Sequence, residues 1–201
     1  MWKTYQLIIF YMEIEFIIPT WQRPDKLKVM LACLQAQTNP NWTAHVIIDG
    51  LTNDYREVKD IYQNEERVKF SHIDGPNNDW GHTARNYGLQ QCEKEWVVMT
   101  GDDNYYVPVF VQEFLTAAKT PKAAFVYCDM VHNNYNYNPI KSKLQLGSID
   151  IGNFMSKTAS AKNIKIDTTD YNGDWKWVET YARGHRFEKI IKIEKVLYVH
   201  N

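Results

Sequence analysis

Apolar residues recur along this chain in two alternating rhythms. Short, nearly continuous hydrophobic runs at 13–18, 44–48, 68–73, 96–100 and 123–129 read as buried strands. Between them the apolar positions return every three or four residues, as on the face of a helix. Pro24 and Asp25 open one such helix, running to about Gln37 with Leu27, Met30, Leu31 and Leu34 at helical spacing. Further helices are predicted over 53–63, with Asn53 as cap, over 83–92 and over 109–119. This regular alternation predicts an α/β fold with a doubly wound, mostly parallel sheet.

After Asp129 the alternation breaks down. Residues 143–154 read as two short strands around Gly147, 167–173 as a loop and 174–183 as a helix, and 189–194 and 196–199 close the chain as strands. The start, 1–11, is apolar, but Glu13 and Glu15 interrupt it well short of the ~20 residues a membrane span needs. It has no small-residue cleavage site. The expectation is an upstream extension or an extra edge strand, followed by a single domain over 12–201.

Composition narrows the classes. A chain of 201 residues can bury a core without disulfides or metals to hold it. A net charge of -1 offers no electrostatic footprint for nucleic acid or an anionic membrane. Cys33, Cys92 and Cys128 are odd in number and far apart, so they are read as buried thiols of a cytoplasmic protein. Seven Trp and thirteen Tyr exceed what the core requires, and amphipathic rings outside a core often line sugar or base sites. Neither Gly-x-Gly-x-x-Gly nor Gly-x-x-x-x-Gly-Lys-Ser/Thr occurs, which argues against dinucleotide-dependent dehydrogenases and P-loop phosphotransferases.

The chemistry is expected where strands end. The run Trp96-Val97-Val98-Met99-Thr100 delivers Gly101-Asp102-Asp103-Asn104 to its carboxyl end, where a parallel sheet opens into its ligand crevice. Hard oxygen donors there suit Mg²⁺ or Mn²⁺ carrying a polyphosphate, although Asp and Asn also favour plain turns. Thr20, Asp49 and Asp74 would share that rim.

Several stretches, taken together and in order, carry a family resemblance. They are Phe16-Ile17-Ile18-Pro19-Thr20-Trp21-Gln22-Arg23-Pro24, His45-Val46-Ile47-Ile48-Asp49-Gly50, Ala84-Arg85-Asn86-Tyr87-Gly88, the run from Glu95 to Asn104, Asp150-Ile151-Gly152-Asn153-Phe154 and Asn172-Gly173-Asp174-Trp175. From about Met12 to its end the chain resembles the family 2 glycosyltransferases of the GT-A fold. The resemblance implies a Rossmann-like three-layer α/β/α architecture with a mostly parallel central sheet. It implies a nucleotide-binding half over about 12–105 and an acceptor half over about 106–201. The implied reaction moves a sugar, hexosyl or related, from a nucleotide-diphosphate donor, UDP-linked, to a carbohydrate or other hydroxyl acceptor. Inversion at the anomeric carbon and a Mn²⁺ or Mg²⁺ ion come with it. The setting it suggests is cytoplasmic polysaccharide biosynthesis, with no transmembrane segment and with peripheral docking on a membrane or a protein partner.

Site residues carry over position by position. Family members often have Asp-x-Asp where this chain has Gly101-Asp102-Asp103, so the metal falls to Asp103 and the donor ribose or sugar to Asp102, with Asn104 as a weak ligand. Asp49 would accept from the imide N–H of a uracil ring, or simply turn the chain before Gly50. Thr20 and Arg23 would flank the nucleotide or cap the following helix. Arg85, with Asn86 beside it at a helix start, would hold the base or the pyrophosphate; otherwise Arg85 pairs with Glu93 or Asp79. Inversion needs a carboxylate to take the acceptor's proton, and Asp174 is the candidate, with Trp175 and Trp177 as sugar platforms. As a cap, Asp174 would need no catalytic role. His200 is the residue that would complete the metal shell. Two other classes remain: a nucleotide-sugar binding protein without turnover, suggested by the missing first Asp, and a metal-dependent nucleotidyltransferase. The second expects a Gly-rich basic loop where 19–24 stands.

Overall fold

Strand β1 (Ile14–Thr20) is buried along its whole length, as a strand must be when helices cover both faces of its sheet. In the computed structural model, which describes residues 12–52, 54–185 and 188–201, β1 lies at the centre of a parallel set. It pairs in parallel with β2 (Trp42–Asp49) and β4 (Trp96–Met99), and β2 pairs in parallel with β3 (Val68–Ile73). The readings of 1–11 and of the Asn53 cap fall outside the described residues.

Side chains alternate across this set with the period of two that a pleated strand imposes. Ile14, Phe16, Ile18, Val46 and Val98 face a core shared with α1 (Pro24–Gln35), α2 (Arg56–Tyr62) and α4 (Phe110–Ala118). Ile17, Ile47, Val97 and Met99 face the other way, toward α3 (His82–Gln91), α5 (Thr158–Ala161) and α6 (Gly173–Gly184). The result is three layers, helices on both faces of one sheet.

The sheet continues as β8 (Phe154–Lys157), β6 (Ala123–His132), β9 (Lys189–His200) and β5 (Tyr105–Tyr106), and the strand order is β3-β2-β1-β4-β8-β6-β9-β5. Beyond β4 the direction is mixed. β8 runs antiparallel to both neighbours, β6 and β9 are parallel, β5 is antiparallel to β9, and the short β7 (Pro139–Ile140) is antiparallel to β6.

Three sequence readings are corrected. The stretch 143–154 is not a strand pair: it is turns, with β8 beginning only at Phe154. Its backbone closes on itself in turns, with Lys143 N donating to Ser148 O at 3.1 Å and Asn153 N to Asp150 O at 3.2 Å, and Asn153 Oδ1 accepts from Asp150 N at 3.2 Å while its Nδ2 ties the segment to Cys128 O at 2.9 Å. The two closing strands are one, β9, whose pairing with β6 shifts register around Asp129 and so absorbs the charged Glu194-Lys195 step as a bulge. Cys92 and Cys128 are buried, whereas Cys33 is only half-buried.

Helix α3 sits unusually close to the sheet. A Cβ at Gly88 would lie 2.6 Å from Ile17 Cγ2 and 2.7 Å from Ile47 Cδ1, so only glycine allows this approach. Gly88→Ala is expected to destabilise the fold by about 1–3 kcal/mol through overpacking, read as a lower urea midpoint. The close approach sets the height of Arg85, one turn earlier on the same helix.

Candidate functional site

The order β3-β2-β1-β4 places a topological switch point between β1 and β4, because the chain winds one way from β1 and returns on its other side. Open α/β sheets bind ligands at such a point. A cavity of about 790 Å³ opens there, lined by the ends of β1, β2 and β4, the start of α3, the loop before α6 and His200. Thr20, Arg23, Asp49, Arg85, Asp103, Asp174 and His200 all line it. These residues come from both ends of the chain and are brought together only by the fold.

The cavity floor is a network of charged groups. Thr20 Oγ1 donates to Asp102 Oδ2 at 2.6 Å and lies 2.8 Å from the Tyr55 hydroxyl. Arg23 spans both acids, with Nη2 at 2.7 Å from Asp102 Oδ1 and Nη1 at 2.7 Å from Asp103 Oδ2. Lys26 Nζ adds a second cation 3.5 Å from the same Asp103 oxygen. Asp102 is fully buried and not part of the cavity wall. The expected donor contact therefore gives way to a structural one: Asp102 ties β4 to β1 through Thr20 and anchors Arg23. Burial raises its pKa to about 6 against the pull of Arg23.

Asp49 lines the cavity with its carboxylate held by Asn77, whose N donates to Oδ2 at 3.0 Å and whose Nδ2 donates to Oδ1 at 2.7 Å. A carboxylate held this way is fixed in direction before any ligand arrives.

Arg85 is the unusual charge. It is 7% exposed, with Nε donating to Thr100 O at 3.1 Å and Nη1 to Trp80 O at 2.8 Å. No carboxylate among the described residues lies in ion-pair range of its guanidinium, so the alternative pairing with Glu93 or Asp79 is not what the fold does. Burial pulls its pKa down, while Asp174 and Asp150 pull it back up; an arginine stays charged in either case. Asp79 is engaged with the start of α3, its Oδ2 accepting from Thr83 N at 2.7 Å and its Oδ1 from Gly81 N at 3.1 Å. That carboxylate fills the anion-attracting end of the helix, leaving Arg85 as the cation that α3 presents to the cavity.

Asn86 does not reach the cavity. Its Oδ1 accepts from Ile166 N and its Nδ2 donates to Ile166 O, both at 2.9 Å, so it secures the segment leading to α6 rather than a nucleotide. His82 belongs to the same joint. Buried beside Gly173, its Nδ1 lies 3.4 Å from Arg85 Nη1. Burial first, and then Arg85, lower its pKa to about 4. Below the ordinary histidine value of 6.5 the unfolded chain takes up a proton that the folded one refuses. The contribution of this group to stability is therefore full above that pH and falls as pH drops through the window to about 4, by up to about 1.4 kcal/mol per pH unit. Urea midpoints between pH 7.5 and 4.5 measure this slope, which should shrink in His82→Gln.

Asp174 stands in the first turn of α6, where the helix end favours negative charge. Asn172 holds the cap position, and Asp174 Oδ1 accepts from Trp175 N at 2.7 Å. Burial raises its pKa, helped by Asp150 and opposed by that N–H and by Arg85. Trp175 lines the cavity as expected, but Trp177 is a core residue, with Nε1 donating to Ile164 O at 3.0 Å. It stacks between Phe154 and Tyr181 and is no sugar platform.

His200 arrives through the pairing of β5 with β9, which sets Tyr105 opposite Val199 and so brings the chain end beside Asn104. Its Nδ1 is 2.9 Å from Asp150 Oδ2. Burial works against charge on both groups, but their contact prevails, raising the His200 pKa and lowering that of Asp150. The same contact directs the ring and leaves Nε2 for a ligand, as a carboxylate behind a metal-bound imidazole does. Both cations on Asp103 engage Oδ2, and no hydrogen bond among the described residues engages Oδ1. Asp103 Oδ1 and His200 Nε2 would thus be the protein donors for a divalent ion. Among the described residues no three acidic, His or Cys side chains converge as a ligand cluster. A two-donor site suits an ion that takes its remaining oxygens from phosphate and water.

A sheet of this strand order, with helices on both faces and a cavity at its switch point, defines a GT-A-like α/β protein. The model described as Glycosyl transferase family 2 matches residues 15–184, and the chain belongs to that family. An uncharacterized glycosyltransferase of Haemophilus influenzae strain Rd is 23% identical over 129 residues, covering 62% of this chain and 42% of that protein. Among solved structures, S. aureus TarS 1-349 in complex with UDP superimposes with TM-score 0.80 at 19% identity, over 94% of this chain and 60% of that one. The mannosyltransferase PcManGT of Pyrobaculum calidifontis, in complex with GDP-Man and Mn²⁺, gives TM-score 0.74 at 14% identity, over 96% of this chain and 57% of that one. These likenesses establish the GT-A fold. The chain spans less than two thirds of each of these relatives. Among the described residues no helix is long and apolar enough to cross a membrane.

Proposed function

We propose that the chain transfers a sugar, with inversion, from a nucleoside-diphosphate donor to a hydroxyl acceptor. The observation that carries this reading is Arg85: a buried cation with no carboxylate partner among the described residues, on the wall of a cavity that also presents Asp49, Asp103 and Asp174. Burying an unpaired charge is costly, and a diphosphate supplies the missing partner in the bidentate geometry a guanidinium prefers. A structure in this fold family with UDP, one with UDP-GlcNAc and one with GDP-Man support the donor class, and UDP is the first choice.

In this reading Asp49 meets the base, Thr20 and Arg23 shape the wall beside the nucleotide, and Arg85 binds the diphosphate. Asp174 takes the acceptor hydroxyl's proton as its oxygen attacks the anomeric carbon from the face opposite the leaving group. Residues up to about 105 supply most of the donor side and those beyond it most of the acceptor side. A Mn²⁺ or Mg²⁺ ion held by Asp103 and His200 would neutralise charge developing on the departing diphosphate.

Incubation with UDP-GlcNAc, UDP-glucose and GDP-mannose plus Mn²⁺ and a mixture of methyl pyranosides as hydroxyl acceptors, followed by chromatography of the nucleotides, tests the activity. Release of UDP or GDP above the protein-free control is expected from one of them. A second reading, donor binding without turnover, is favoured by the grip of Arg23 and Lys26 on Asp103 and by Gly101, where a Cβ would come 3.0 Å from Asp103 Oδ1. Donor binding with no release of nucleotide would select it.

A further inference from the structure

Of the four large aromatic side chains that stand exposed on the cavity wall, Trp21, Trp80, Tyr135 and Tyr171, two pack against each other. Trp80 is 53% exposed and Tyr171 67% exposed, and their rings meet edge-to-face with centroids 5.5 Å apart. They come from different segments, Trp80 from the loop before α3 and Tyr171 from the loop before α6. Leaving so much apolar ring surface in water forgoes the stabilisation its burial would give.

Trp80 is also held in an unfavourable backbone conformation. Its φ is +59°, the left-handed region that bulky residues avoid. Its carbonyl is fixed there by the 2.8 Å hydrogen bond from Arg85 Nη1. Glycine would meet this backbone without strain, so the backbone gives no reason for an indole. What the indole contributes is a flat, polarizable face at the cavity mouth. Tyr171 stands three residues before Asp174, the proposed base, so a ring seated on this pair would lie on the acceptor side.

We propose that Trp80 and Tyr171 form a stacking platform for a pyranose ring of the acceptor, making the acceptor a carbohydrate rather than an acyclic polyol or a peptide hydroxyl. One face of a pyranose is a patch of axial C–H groups, which carry slight positive charge and pack on the negative face of an aromatic ring. The hydroxyls around the ring edge stay free for polar partners, including Asp174. This inference deepens the glycosyltransferase reading and rests on it for the identity of the acceptor side.

The test is saturation-transfer NMR with methyl β-glucopyranoside, methyl β-galactopyranoside and methyl N-acetyl-β-glucosaminide, each with ribitol as the acyclic control, in the presence of UDP. The proteins are wild type, Trp80→Gly and Tyr171→Ala. Trp80→Gly removes the indole while relaxing the backbone, so its melting temperature should equal or exceed that of the wild type. At least one pyranoside should bind the wild type, with saturation reaching its axial C–H protons. Both variants should weaken it tenfold or more while their UDP affinity stays within about twofold of wild type. The platform is overturned if no pyranoside binds, if both variants bind it as the wild type does, or if ribitol binds equally well. UDP that fails to bind the wild type overturns the donor reading instead, and pyranoside binding lost in the two variants would still uphold the platform.

Discussion

Asp174→Asn is expected to lose sugar transfer while binding the nucleoside diphosphate as tightly as the wild type. Asparagine keeps the size of the side chain and the acceptor oxygen that meets Trp175 N at 2.7 Å, so the start of α6 should fold unchanged. What it cannot do is take a proton. Removing a positioned general base costs about 10²–10⁴-fold in rate, and kcat should fall by that amount. Burial raises the pKa of Asp174, and a base works only when ionised. Activity should therefore fall as pH drops through a value above the ordinary aspartate range, and that acid limb should vanish in the variant. Transfer that stayed near normal in Asp174→Asn would move the base elsewhere. Asp150 is a poor substitute, because Tyr198 and His200 already engage its two oxygens, at 2.5 and 2.9 Å.

Arg85→Ala is expected to weaken UDP binding while leaving uridine binding almost unchanged. Charge-assisted hydrogen bonds to phosphate contribute about 1.5–3 kcal/mol, equivalent to roughly 10- to 150-fold in affinity. Arg85→Lys should recover only part of the loss, since an ammonium keeps the charge but not the planar fork. Truncation also leaves Thr100 O and Trp80 O without the donors they have at 3.1 and 2.8 Å, so a modest fall in melting temperature should accompany it. The comparison of UDP with uridine separates the two effects, because a general loosening of the cavity weakens both ligands. Equal loss of both would make Arg85 a structural residue.

The strands β1, β2 and β4 were legible because they are buried on both faces and so read as unbroken apolar runs. The acids at their ends were legible because a parallel sheet collects strand ends on one rim, which is where Asp49 and Asp103 lie. Residues 143–154 were not legible. Leu144, Leu146, Ile149 and Ile151 alternate as a strand would, but the local backbone closes in turns and on the Asn153 side chain, and hydrophobic rhythm does not record that. The strand β5, two residues long, is too short to show a rhythm, yet it brings His200 to the rim.

Within the site, residue type suggested a charged or polar role but not its direction. Asp102 and Asp103 are adjacent, and the fold buries one under Thr20 and leaves the other on the cavity wall. Arg85 and Asn86 are adjacent on a helix, and its rotation turns one toward the cavity and the other onto the backbone of Ile166. The pairing of Trp80 with Tyr171 joins distant parts of the chain and could not be read locally. A bulky residue directly before Gly81 in a polar loop was the only trace of it.

The roles proposed for Arg85, Asp103 and Asp174 all require that the switch-point cavity take a nucleoside diphosphate. Calorimetric titration of UDP, GDP and CDP into the protein, with and without Mn²⁺, tests it most directly. The expected result is saturable binding of one of the three, UDP first, tightened by the ion. No binding of any of them, with the ion or without it, would contradict the claim and leave Arg85 as a buried charge without a ligand.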